Sequence, residues 1–221
     1  KPSNLYKVQN YNGVLSIESN CYPSYLIRDV YQHDGFDFLF LVEDVLTKNI
    51  VEKILFTYNL KAGKLIHIVP VGGWKNVLEL HKELLRWNVL GLGKQIVSIL
   101  DGDIINEVSS EYKDIKKFFL PIKSIEKFLY KVIIEDPETK LIRVLNDKYF
   151  TLKSIESLAK EFKEKYPTTP PNPDKKFYFK LKKDFEDRKI SEDYFINNFC
   201  DDLMENIDFT KFIDNIRKVL K

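Results

Sequence analysis

Phe36-Asp37-Phe38-Leu39-Phe40-Leu41-Val42-Glu43-Asp44 decides how this chain is read. A short run of large apolar residues has the composition of a strand buried on both faces. It stops abruptly at two carboxylates. The same pattern recurs at Ile96-Val97-Ser98-Ile99-Leu100, which stops at Asp101-Gly102-Asp103. Buried strands of this kind belong to parallel sheets, and in open α/β sheets the carboxyl ends of the strands are where ligands bind.

Outward from these two runs the chain alternates strand and helix. After Asp44, the residues Thr47, Ile50, Val51, Ile54 and Leu55 fall at helical spacing. Lys64 to Pro70 then reads as a strand closed by Val71-Gly72-Gly73. Val77, Leu78, Leu80, Leu84 and Leu85 give a second helical face, which Gly91-Leu92-Gly93 ends. Such alternation implies βαβ units, so Glu43, Asp44, Gly72, Gly73, Asp101 and Asp103 are expected to share one sheet edge. Phe118 to Pro121 reads as a further short strand and Ile122 to Tyr130 as a helix.

The flanks are plainer. Leu5 to Val8 and Val14 to Ile17 suggest a hairpin turning at Asn12-Gly13. Tyr166 to Asp174 holds Pro167, Pro170, Pro171 and Pro173 and reads as an extended loop. Lys175 to Lys189 is rich in lysine with interleaved aromatics. From Ser191 onward, Phe195, Phe199 and Leu203, then Phe212, Ile213, Ile216 and Leu220, mark amphipathic helix.

With 221 residues, 44% hydrophobic and 31% charged, the chain suits a globular protein. No apolar run approaches the ~20 residues of a membrane span, and no signal peptide is visible, so a cytoplasmic protein without membrane partners is expected. Cys21 and Cys200 offer no disulfide framework or zinc spacing. A net charge of +2 leaves nucleic-acid binding to local patches. The start at Lys1, without a methionine, reads as part of a longer chain.

Carboxylates gathered at a sheet edge are hard oxygen ligands suited to Mg²⁺ or Mn²⁺. Glu43, Asp101 and Asp103 are the expected ligands. Gly91-Leu92-Gly93-Lys94 lacks the spacing of a nucleotide-binding P-loop and precedes a strand. His33, His67 and His81 form no cluster in sequence; His67 is expected to be packed, as are Trp74 and Trp87. Ser98 sits within a strand with no triad.

Taken together, Phe38 to Asp44, Val69-Pro70-Val71-Gly72-Gly73 and Ile99 to Asp103 resemble a TOPRIM domain. The Glu43-Asp44 pair and Leu120-Pro121-Ile122-Lys123-Ser124-Ile125-Glu126-Lys127-Phe128-Leu129 resemble more narrowly the overcoming-lysogenization-defect (OLD) nucleases. The resemblance spans residues 36–130 well. It implies a TOPRIM-like Rossmannoid parallel sheet flanked by helices over 36–165. Residues 1–35 would be the tail of an upstream ATPase head or a linker, and 166–221 a lysine-rich loop and mainly helical C-terminal appendage.

The resemblance further implies a metal-dependent DNA endonuclease with one or two Mg²⁺ or Mn²⁺ ions, acting in phage defence, with ATP entering only through the upstream domain. It adds Asp44 and Glu126 to the metal ligands. Asp44 is left between ligand and helix cap, because many TOPRIM proteins have glycine there. The family also uses a downstream lysine, for which Lys182 is the best match, ahead of Lys176 and Lys180. Lys175, Lys176, Lys180 and Lys183 are the expected DNA contacts, beside a rival reading in which Phe177 and Phe179 belong to the core. Topoisomerase or primase chemistry, a non-catalytic binding domain and a homo-oligomer stay open as alternatives.

Overall fold

The computed structural model describes residues 6–11, 14–19, 36–61, 63–87 and 95–221. Strands β1 (Tyr6–Tyr11) and β2 (Val14–Ser19) pair antiparallel, with Tyr11 opposite Val14. The Asn12-Gly13 turn, Gly91 to Gly93, Cys21 and His33 lie outside the described residues.

The central sheet contains β3 (Phe38–Val42), β4 (Ile66–Pro70), β5 (Gln95–Leu100) and β6 (Lys117–Phe119). All pairings are parallel and the order is β4-β3-β5-β6. Helix α1 (Val45–Thr57) connects β3 to β4, and α2 (Trp74–Arg86) precedes β5. The chain therefore moves outward from β3 to β4 and returns past β3 to β5. With crossover hand conserved, that reversal puts α1 and α2 on opposite faces of the sheet.

The core divides along the alternation of the strands. Phe38, Phe40, Val42, Val97 and Ile99 pack with Ile50, Val51, Ile54 and Leu55 of α1. Leu39, Leu41, Ile96 and Leu100 face Val77 and Leu78 of α2. β3 is buried along its whole length, whereas β4 is an edge strand in which only Ile68 is fully buried. That edge position explains one departure from expectation. His67 is exposed and stacks on Phe36 rather than being packed in the interior.

The face of α2 is also rotated from the expected one. Leu80 and Leu85 are exposed, and buried His81 takes the core position between Val77 and Leu84. Its Nδ1 lies 2.7 Å from Ser98 Oγ, so the one polar residue inside β5 is matched by the one polar residue beneath α2. Trp74 is packed against that core, but Trp87 is 66% exposed, its ring nitrogen bonded to Glu83.

Helices α3 (Ile125–Tyr130), α4 (Thr139–Lys148), α5 (Ile155–Lys165), α6 (Pro173–Asp187), α7 (Glu192–Asn206) and α8 (Thr210–Val219) complete the chain. A π-turn at Lys131–Glu135 continues α3. The lysine-rich stretch expected as a loop is α6, begun by Pro173 at its first turn, where proline's fixed φ suits a helix start. Phe177, Tyr178, Leu181 and Phe185 are buried, and Phe179 is 64% exposed, so only half of the aromatic pair lies in the core. Phe195, Phe199, Leu203, Phe212, Ile213 and Ile216 are buried as their spacing predicts. The C-terminal helices share one continuous core with β3 and α1.

A carboxylate cleft at the point where strand order reverses

β3 and β5 are neighbours whose outgoing connections lie on opposite faces, which opens a crevice beyond their carboxyl ends. Each strand ends by delivering a carboxylate into it. Five side chains singled out above line this cleft of about 340 Å³: Glu43, Asp44, Asp101, Asp103 and Glu126. Gly72, Gly73 and Trp74 form another part of the wall, and Asp174, Lys127 and Lys175 join it from the C-terminal half.

Glu43 is fixed by its surroundings. Its carbonyl accepts from Gly72 N at 2.8 Å and from Gly73 N at 3.3 Å. Gly72 and Gly73 have φ of 96° and 77°, which glycine adopts without a Cβ penalty. The turn can therefore curl around the end of β3. The Glu43 Oε1 accepts the main-chain N–H of Asp101 at 2.8 Å, and the N–H of Trp74 also bonds this side chain. Burial still raises the Glu43 pKa, with Asp103 and Asp44 adding to the rise.

Asp101 is only 9% exposed. Thr47 Oγ1 donates to its Oδ1 at 3.2 Å. Burial foremost, then the charges of Glu43 and Asp44, push its pKa up to about 8. Asp44 is the N-cap of α1, its Oδ1 accepting Thr47 N at 2.8 Å. This side chain caps the helix and still lines the cleft, so the two roles left open for it do not exclude each other.

Gly102 has a different reason from the turn freedom that an Asp-Gly pair suggests. A Cβ there would sit 2.6 Å from Leu120 O and 2.7 Å from Ile122 O. Gly102 N donates to Ile122 O at 2.8 Å, and this close approach draws the 120–126 segment against the end of β5. Ser124 then caps α3 by accepting Lys127 N at 3.2 Å. The cap aims the first turn of α3 at the cleft. Glu126 is thereby half-buried, and burial raises its pKa, with Asp44 adding and Ser124 and Lys175 opposing.

Lys127, which the sequence reading did not single out, forms an ion pair with Asp103. The signal was present, since Ser124 followed by Lys127 is an N-cap with its third helical residue. The lysine named as the best match, Lys182, is elsewhere. Its Nζ pairs with Glu192 at 2.6 Å and Glu186 at 3.8 Å, and it does not line the cleft. Lys180 pairs with Glu161 at 2.8 Å, and Lys176 Nζ stands over the Tyr166 ring. Lys183 is exposed and Lys175 lines the cleft.

Among the described residues, no group of three or more Asp, Glu, His or Cys side chains is already arranged to hold a metal ion. The hydrogen bonds say why: Glu43 is turned to Asp101 N, Asp44 to Thr47 N and Asp103 to Lys127. The donor set nevertheless fits a hard divalent cation. Burial and the neighbouring carboxylates raise the pKa values of Glu43 and Asp101, and a cation would relieve both. No described helix is long and apolar enough to cross a membrane. No protein-family model, curated protein or solved structure matches the chain.

Proposed function

We propose that the chain is a metal-dependent endonuclease domain that hydrolyses DNA phosphodiester bonds, of the TOPRIM kind found in OLD nucleases. The observation that carries the reading is the meeting of Glu43, Asp101 and Asp103 at the reversal of strand order, with Glu126 completing the wall. Six carboxylates against two lysines give the cleft a strongly negative lining, which repels a polyanion unless a cation is held there.

Glu43, Asp101 and Asp103 would hold the ion, with Asp44 and Glu126 as further donors. A divalent ion bound in such a site activates water and stabilises the leaving oxygen of a phosphodiester. The chain's own residues do the rest. Trp74 N and Asp101 N orient Glu43, and Thr47 orients Asp101. Lys175 takes the charge-stabilising role for which Lys182 was the sequence match, because it faces the cleft and lowers the pKa of Glu126. An ATPase segment on a longer chain, as partner and site of ATP use, belongs to the same proposal.

Supercoiled plasmid incubated with the purified chain in Mg²⁺ or Mn²⁺ should be nicked and then linearised, and a chelator should stop both. Plasmid that stays supercoiled across a titration of both metals would refute the reading.

A further inference from the structure

We propose that the phosphate backbone of DNA leaving the carboxylate cleft is carried by the groove between α3 and α6, on Lys123, Lys127 and Lys131. The proposal rests on the nuclease reading and names the path its substrate takes. The groove, of about 270 Å³, also includes Tyr130, Glu135 and Asp174. It is continuous with the cleft, because Lys127 and Asp174 line both.

Lys127 on α3 and Lys131 at the start of its π-turn stand on one face, Lys123 lies just ahead of the Ser124 cap, and all three are exposed. The opposite face holds buried Ile125, Leu129, Val132 and Ile133. Lys127 and Lys131, four residues apart, repel one another on the helix surface. The groove's own lining holds these three lysines against Glu135 and Asp174, a net +1, and Lys127 is further paired with Asp103, so Lys123 and Lys131 are the two lysines left to meet phosphate. From Lys127 to Lys131 the helix rises about 6 Å, the same order as the separation of neighbouring phosphates along a strand. The lysines of α6 are less suited to the task. Lys180 and Lys182 are held by Glu161 and Glu192, and Lys176 by the Tyr166 ring.

The test is the salt dependence of binding to a labelled DNA duplex, with Ca²⁺ replacing Mg²⁺ to prevent cleavage. Each phosphate contact contributes about 0.9 to the slope of log affinity against log salt. Lys123→Gln with Lys131→Gln should lower that slope by about 2, while Lys176→Gln with Lys180→Gln leaves it unchanged. Lys123→Arg with Lys131→Arg should keep the wild-type slope, which separates lost charge from a disturbed helix. An unchanged slope in the Lys123, Lys131 glutamine pair overturns the groove, and plasmid nicking by the same preparation would leave the nuclease reading standing. A lowered slope in a chain that never nicks DNA upholds the groove and refutes the nuclease reading. Failure of the wild-type chain to bind duplex overturns both.

Discussion

The main-chain N–H of Asp101 donates to Glu43 Oε1 at 2.8 Å, joining the ends of β5 and β3 through a carboxylate that is itself half-buried. This bond holds two acidic strand ends together although their charges repel. The repulsion falls on the Asp101 side chain, which burial and its acidic neighbours drive to a pKa of about 8.

Metal-free stability should record that strain. An unfolded aspartate ionises near 3.8 and the folded Asp101 near 8, so the folded state keeps a proton that the unfolded state has lost between those values. This contribution is full below about pH 4 and is lost as pH rises toward 8. Asp101→Asn, which removes the titration, should raise the melting temperature in chelator at pH 8.5 by at least ~2–4 °C, about 1 kcal/mol. Near pH 4 the two proteins should melt together. A melting difference independent of pH would contradict the assigned burial.

His81 should titrate in the opposite sense. Burial first, then Lys117 and Lys116, lower its pKa from 6.5 to about 4. The neutral ring beside Ser98 then stabilises the fold fully above pH 6.5, and that stability is lost as pH falls toward 4. The shift corresponds to up to ~3 kcal/mol. A histidine resonance from His81 with a midpoint near 4 is expected in an NMR titration; a midpoint above 6 would show that the ring is solvated.

Gly102→Ala tests the close approach at the end of β5. The added methyl meets two carbonyl oxygens of the main chain at under 3 Å, and overpacking of this kind costs ~1–3 kcal/mol. The denaturant midpoint should fall with no change in slope, and cleavage should fall with it, since the 120–126 segment carries Glu126. An unaltered midpoint would mean that the segment moves away freely.

The parallel sheet was legible because Phe38 to Val42 and Ile96 to Leu100 are apolar on both faces, and that alone demands cover on both sides. The convergence of Glu43, Asp44, Asp101 and Asp103 followed from parallel pairing. Other features depend on tertiary contacts that leave no periodic mark. The burial of His81 needs Ser98 across the interface, and the exposure of His67 follows from β4 being the sheet edge. The helix at 173–187 was hidden by prolines, of which Pro173 begins the helix rather than breaking it. Which lysines border the cleft was not legible, because Lys127 and Lys182 each meet an acidic side chain that only the fold brings near.

Single-turnover cleavage of a DNA duplex by wild-type chain and by Asp101→Asn and Asp103→Asn, at saturating Mg²⁺ or Mn²⁺, tests the central claim most directly. A bound metal supplies several kcal/mol of transition-state stabilisation, so each variant should lose at least ~100-fold in rate. Both should keep the wild-type circular dichroism spectrum. Cleavage within a few-fold of wild type in both variants would place the chemistry outside this cleft and contradict the account.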